Sequence, residues 1–151
     1  MIRAGLSGVR LILGALLIMP IAAGCGGGKL IPRDLKDYLS AELHTERRNV
    51  DVTQPFRTTV IYRVPVLTRE NARHAERALV IKVIEFSRAK GVTDFLNDSL
   101  MFLVRLETDP DVNMKWLASV RDMRETLEGK MSEDDFIERC AKEENWPEEL
   151  G

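Results

Sequence analysis

Beyond its first 28 residues this chain is nearly free of glycine. Only Gly91, Gly129 and the terminal Gly151 remain. A glycine-rich phosphate cradle and a Gly-x-Ser-x-Gly elbow are therefore both excluded. Cysteine is as scarce. Cys25 and Cys140 are the only two, which rules out a disulfide framework. The two histidines, His44 and His74, belong to no His-Glu-x-x-His pattern. Arginines flank both (Arg47 and Arg48; Arg73 and Arg77), and such neighbours disfavour a metal cation, so each histidine reads as a surface or boundary residue. Ser40, Ser87, Ser99 and Ser119 occupy no nucleophile motif. Aromatic residues make up 6% of the chain and do not interleave with the basic ones, so no nucleic-acid platform is expected. Internal repeats are absent, and the only low-complexity segment is a glycine triplet.

What the chain does have is concentrated at its start. Arg3 and Arg10 precede an apolar run from Leu11 to Ala23, broken by Gly14 and Pro20, and the first acidic residue is Asp34. The run suits the core of a secretion signal and is too short to span a bilayer, which takes roughly 20 residues. Small residues then lead to a cysteine in Ala22-Ala23-Gly24-Cys25, followed by Gly26-Gly27-Gly28.

This pattern resembles the lipobox of bacterial lipoproteins. It departs from the usual form in one place: Ala22 stands three residues before the cysteine, where leucine is common, and Ile21 lies one further out. The resemblance implies that residues 1–24 are a signal peptide. It further implies that Cys25 is the lipidation site, carrying a diacylglycerol and, on its freed amine, a fatty acyl group such as palmitate. Two or more chains give stable membrane attachment. Residues 25–31 then form a lipidated, glycine-rich tether of short reach, and residues 32–151 a single globular domain. Gly26 is not the aspartate that marks inner-membrane retention in such proteins. In a Gram-negative host the resemblance implies the outer membrane, with the domain facing the periplasm.

Without residues 1–24 the chain has a net charge of −4, unevenly spread. Residues 29–90 carry net +5 and residues 91–151 net −9. Solvated helix faces explain most of this. The split also suggests that the first helix, with Arg33, Lys36, Arg47 and Arg48, lies against anionic lipid while the acidic half points outward.

Periodicity predicts four helices. The first covers about 32–48 on Leu35, Leu39 and Leu43, with Pro32 in its first turn. The second runs from Arg69 to Lys90 with Thr68 as cap, and its apolar face takes in Ala72, Ala75, Leu79, Val80, Val83, Ile84 and Phe86. A third is expected over 113–128 on Trp116, Leu117, Val120, Met123 and Leu127. Ser132 opens a fourth, which ends before Pro147 and whose Phe136 and Ile137 bury Cys140 beside them. Gly91 and Gly129 follow two of these helices as left-handed terminators. Alternation predicts strands over 57–67 and 99–107, with Pro65 marking an edge or a bulge. A short strand over 92–96 would form a hairpin with the second of these. The first and second strands can pair in parallel through the long helix.

The fold class is thus α+β: a small sheet of two to four strands with helices packed mainly on one face. Asp109-Pro110-Asp111 with Asn113 lacks the glutamate and glycine of a calcium loop and reads as a turn with a helix cap. Glu133-Asp134-Asp135 suits the first turn of a helix. No cofactor, metal or catalytic residue is indicated. The expected function is that of a membrane-anchored, non-enzymatic envelope lipoprotein that binds a protein partner as an accessory or assembly factor. Two other readings stay open. One is a carrier of a small apolar ligand, and the other an enzyme assembled from scattered residues such as Glu85, His74 or Asp94.

Overall fold

The computed structural model describes residues 28–150; the signal segment 1–24, Cys25, Gly26 and Gly27 lie outside them. The architecture is mixed α+β, with four α-helices and two sheets, one of two strands and one of five. The five-stranded sheet exceeds the two to four strands expected. Its order is β2 (Val50–Thr53), β3 (Thr58–Val64), β5 (Ser99–Leu106), β6 (Asn113–Ser119), β7 (Ala141–Asn145). The small sheet pairs β1 (Gly28–Lys29) in parallel with β4 (Val92–Asp94). β4 therefore makes no hairpin with β5.

The central pairing is parallel. Val60 lies opposite Phe102 and Tyr62 opposite Val104. Parallel neighbours need a long crossover, and α2 (Arg69–Lys90) supplies it. Thr68 caps this helix: its hydroxyl accepts from the Asn71 N–H while the Asn71 side chain accepts from the Thr68 N–H. Gly91, at φ 64°, ends it in the left-handed region that glycine enters without a β-carbon penalty. α2 rests on β5 and β6 and touches α1 (Pro32–Glu42), α3 (Val120–Leu127) and α4 (Glu133–Arg139). The core between them is apolar: Leu35, Leu39, Leu79, Ile84, Phe95, Phe102 and Phe136 are fully buried.

Several boundaries differ from expectation for physical reasons. Residues 113–119 are strand, because Met114, Trp116 and Ala118 alternate into the core while Lys115 and Leu117 face the other way. α3 begins only at Val120, where the Ser119 hydroxyl accepts from the Asp122 N–H. α4 stops at Arg139, and Ala141–Asn145 forms an exposed edge strand too polar to show an alternating pattern. β3 ends before Pro65 and is an interior strand, paired on both sides, so the proline marks its end and no sheet edge. The first helix ends at Glu42, and His44 sits in a turn at φ 50°. Finally, Gly28 and Leu30, ahead of Pro32, are already tied to the domain. The Gly28 N–H donates to Gly91 O, and Leu30 is buried.

Phe102 is the most central of these side chains, on the middle strand with no exposed surface. Phe102→Ala is expected to cost about 3–5 kcal/mol. Urea unfolding should show a lower midpoint and an unchanged slope.

Candidate functional site

The apolar stripe of α2 runs through Ala72, Leu79, Val80, Val83 and Ile84, and Glu76 falls in the middle of it. Helical spacing leaves it no alternative, because it lies four residues after Ala72 and three before Leu79. Its side chain is fully buried, and neither carboxyl oxygen has a hydrogen-bond partner. Backbone groups at Trp116 and Val104 favour the ionised form, but neither completes a hydrogen bond of normal geometry with the carboxyl. Burial dominates and pushes the Glu76 pKa up to about 9. The group is a neutral carboxylic acid at pH 7.

Cys140 shares this environment. It caps the end of α4, is 5% exposed, and its thiol donates to Phe136 O over 3.3 Å. Burial pushes its pKa up to about 11; Lys142 opposes the rise, and Glu76 and Asp122 add to it. Such a thiol is a small hydrophobe and not a nucleophile.

An open groove of about 410 Å³ runs along the surface between α2, β6 and β7. Met114 and Trp116 line it, together with Arg73, His74 and Arg77 from α2 and Lys142 and Glu144 from β7. The Lys142 Nζ stands 5.2 Å from the Trp116 ring centroid, a cation–π contact. Arg77 pairs with Asp134 at 2.6 Å, and Arg73 reaches Glu144 at 4.0 Å. Cations and the Glu144 carboxylate therefore rim the groove, and the Trp116 ring, itself only 5% exposed, lies beneath Lys142.

The residues singled out from the sequence do not converge. His74 lines this groove, whereas His44 lies in the turn after α1. Glu85 is engaged with Lys82 and Tyr38, and the Asp94 carboxyl accepts from the Leu96 N–H. Asp109, Asp111 and Asn113 form a self-bonded turn. Glu133 and Asp134 pair with Arg88 and Arg77. Among the described residues no group of three His, Cys, Asp or Glu could hold a metal ion. Cys25 lies outside the described residues.

Some of the opposite charges of the two halves are paired with one another. Arg73, Arg77 and Arg88 of the basic half meet Glu144, Asp134 and Glu133 of the acidic half. Lys36, Arg47 and Arg48 pair with Asp51, Asp37 and Glu46. Of the four basic residues expected to face lipid from the first helix, only Arg33 makes no ion pair among the described residues.

Sequence reading missed Glu76, although the signal was there. Its position in the stripe was legible, but a charged residue is normally assigned to solvent. The chain matches no known protein-family model, no curated protein and no solved structure.

The Glu76 carboxyl ties stability to pH. Its folded pKa is raised from 4.5 to about 9. The protonated form is favoured by folding, so its contribution is complete below pH 4.5 and is lost as pH rises through 9. Stability should therefore fall across that window, with a slope approaching about 1.4 kcal/mol per pH unit. Glu76→Gln should flatten the slope in denaturant titrations at several pH values. Glu76→Met should stabilise by about 1–3 kcal/mol at pH 8 by removing the orphaned polar group. Separately, thiol reagents should label Cys140 slowly in the folded protein and quickly in urea.

Proposed function

We propose that this is a lipid-anchored protein of the cell envelope, held through Cys25, that docks a protein partner and performs no chemistry of its own. In a Gram-negative host its place is the outer membrane, facing the periplasm. The start of the chain supports the anchor: charged start, apolar run, small residues, cysteine. No described helix is long and apolar enough to cross a membrane.

The observation that carries the docking role is the second face of the five-stranded sheet. In this reading the helices gather on the face made by Val60, Phe102, Val104, Met114 and Trp116, all buried. The opposite face offers Ile61, Met101 and Leu117, which are half-buried, beside Leu103 at 9% exposure. Arg105 and Lys115 lie on that same face and form no ion pair among the described residues. A partner with an apolar centre and an acidic margin fits such a surface. A carrier of apolar ligands needs an enclosed chamber. The buried apolar side chains of the core and the open form of the grooves described favour the docking reading over that one.

Fractionation tests the anchor: the wild-type chain should be found in the membrane and detergent phases, and Cys25→Ser should accumulate as uncleaved precursor. A photocrosslinker at Met101 or Leu117 tests the face. One discrete protein adduct is expected, lost on Leu117→Glu while the fold persists. Failure of both positions to crosslink in intact cells would contradict the docking role.

A further inference from the structure

Among the described residues four large apolar side chains stand exposed, and three of them lie at one end of the molecule. Phe56 is 90% exposed, Leu96 56% and Ile31 54%; the fourth, Val66, lies at the opposite end, beyond β3. The crowded end is defined by topology. β3 and β5 start there, at Thr58 and Ser99, and β2 and α2 finish there, at Thr53 and Lys90. The Phe56 and Leu96 loops are bonded to one another. The Thr58 hydroxyl donates to Phe95 O at 2.7 Å, and the Asn97 amide donates to Gln54 O at 3.3 Å.

Leu96 is held in an unusual way. Its φ is 67°, in the left-handed region that is costly for a residue with a β-carbon and cheap for glycine or asparagine. The Asp94 carboxylate accepts from its N–H at 2.9 Å and fixes the turn. Neither core packing nor backbone preference favours a leucine here, which leaves its exposed side chain as the feature to be explained.

The chain enters the fold at this same end. Gly28 pairs with Val92, and the Leu30 N–H donates to Asp94 O, next to the Leu96 loop. Three peptide steps separate Cys25 from Gly28, and an extended chain covers at most about 11 Å in three steps. A lipid on Cys25 would therefore bring this end, and not Val66, to the bilayer.

We propose that Phe56 and Leu96, with Ile31 beside the entry point, seat in the interfacial layer of the membrane that holds Cys25. This rests on the lipid-anchor reading above. The sheet then stands with the starts of β3 and β5 toward lipid and its uncovered face turned sideways to a partner. Apolar and aromatic side chains placed at a membrane interface add to an anchor and fix its orientation. Lys29, Arg57 and Lys90 share this end and form no ion pair among the described residues, but so do Asp34, Asp94 and Asp98. The orientation is thus carried by apolar contact and tether length, not by net charge.

The test uses the processed full chain reconstituted in vesicles of phosphatidylethanolamine and phosphatidylglycerol. An environment-sensitive dye is attached at Phe56→Cys, Leu96→Cys or Val66→Cys in turn; the buried Cys140 labels too slowly to interfere. Lipids carrying a nitroxide quencher should quench the dye at positions 56 and 96 at least threefold more than at 66, with a blue-shifted emission at the first two. Leu96→Asn should leave thermal stability equal or higher, since asparagine accepts the left-handed turn, while lowering lipid quenching at position 56 by twofold or more. Protein that pellets with vesicles but leaves all three dyes open to aqueous iodide would overturn the proposal and leave the anchor standing. Shielding in intact envelopes but not in pure vesicles would overturn it too, by showing that protein covers these loops. Protein that fails to pellet would bring down the anchor and this proposal together.

Discussion

Two parallel strands cannot be joined by a tight turn, and the pairing of β3 with β5 is parallel. The chain must therefore cross from the end of one strand back to the start of the other, and the 22-residue helix α2 makes that crossing. Most of the structure follows from it. The helix has to lay a long apolar stripe on β5 and β6, which draws in whatever occupies the stripe positions, Glu76 included. Its C-terminus has to arrive where β3 and β5 begin, so Gly91, β4 and the entering Gly28 all meet at that end. α1, α3 and α4 then touch α2, and ion pairs such as Arg77 with Asp134 and Arg88 with Glu133 join its exposed side to α4.

Glu76 shows the cost of that arrangement. A carboxyl without a hydrogen-bond partner inside an apolar core opposes folding, and the protein tolerates it by keeping the proton on. Glu76 lies close enough to Cys140 to add to the rise of the thiol pKa, and burial holds both groups in neutral form. Arg73, Arg77 and Lys142 stand on the surface side of the same region and pair there with acids or an aromatic ring. Charge lies outside and neutral polar groups lie inside.

The parts of the fold legible in the sequence were those with strong local periodicity. α2, its Thr68 cap and its Gly91 terminator were readable because a long apolar stripe and a lone glycine leave few alternatives. β3 and β5 alternated clearly. The segment Asn113–Leu127 was misread because Trp116, Leu117, Val120, Met123 and Leu127 satisfy a helical spacing even though a strand turns into a helix at Ser119. β7 was invisible: a charged edge strand buries no side chain and shows no pattern, and it exists because β6 offers it a ladder. β2 was hidden by its length, four residues at the sheet's other edge. The candidate groove was illegible for a different reason. It joins α2 to β6 and β7 across distant parts of the chain, so no local spacing could announce it. The exposure of Phe56 and Leu96 is likewise a tertiary fact, since both sit in segments where an apolar residue would ordinarily be assigned to the core.

The proposed reading, a domain held at a membrane and held out to a partner, rests on the lipobox-like start of the chain and on the half-buried Ile61, Met101 and Leu117 of one sheet face. The anchor is the premise on which that account stands. The intact mass of the mature protein, extracted from membranes with detergent, tests it most directly. The account requires a chain that begins at Cys25 and exceeds its polypeptide mass by a diacylglycerol or more. A mature chain that begins elsewhere, or that begins at Cys25 with an unmodified thiol, would contradict it.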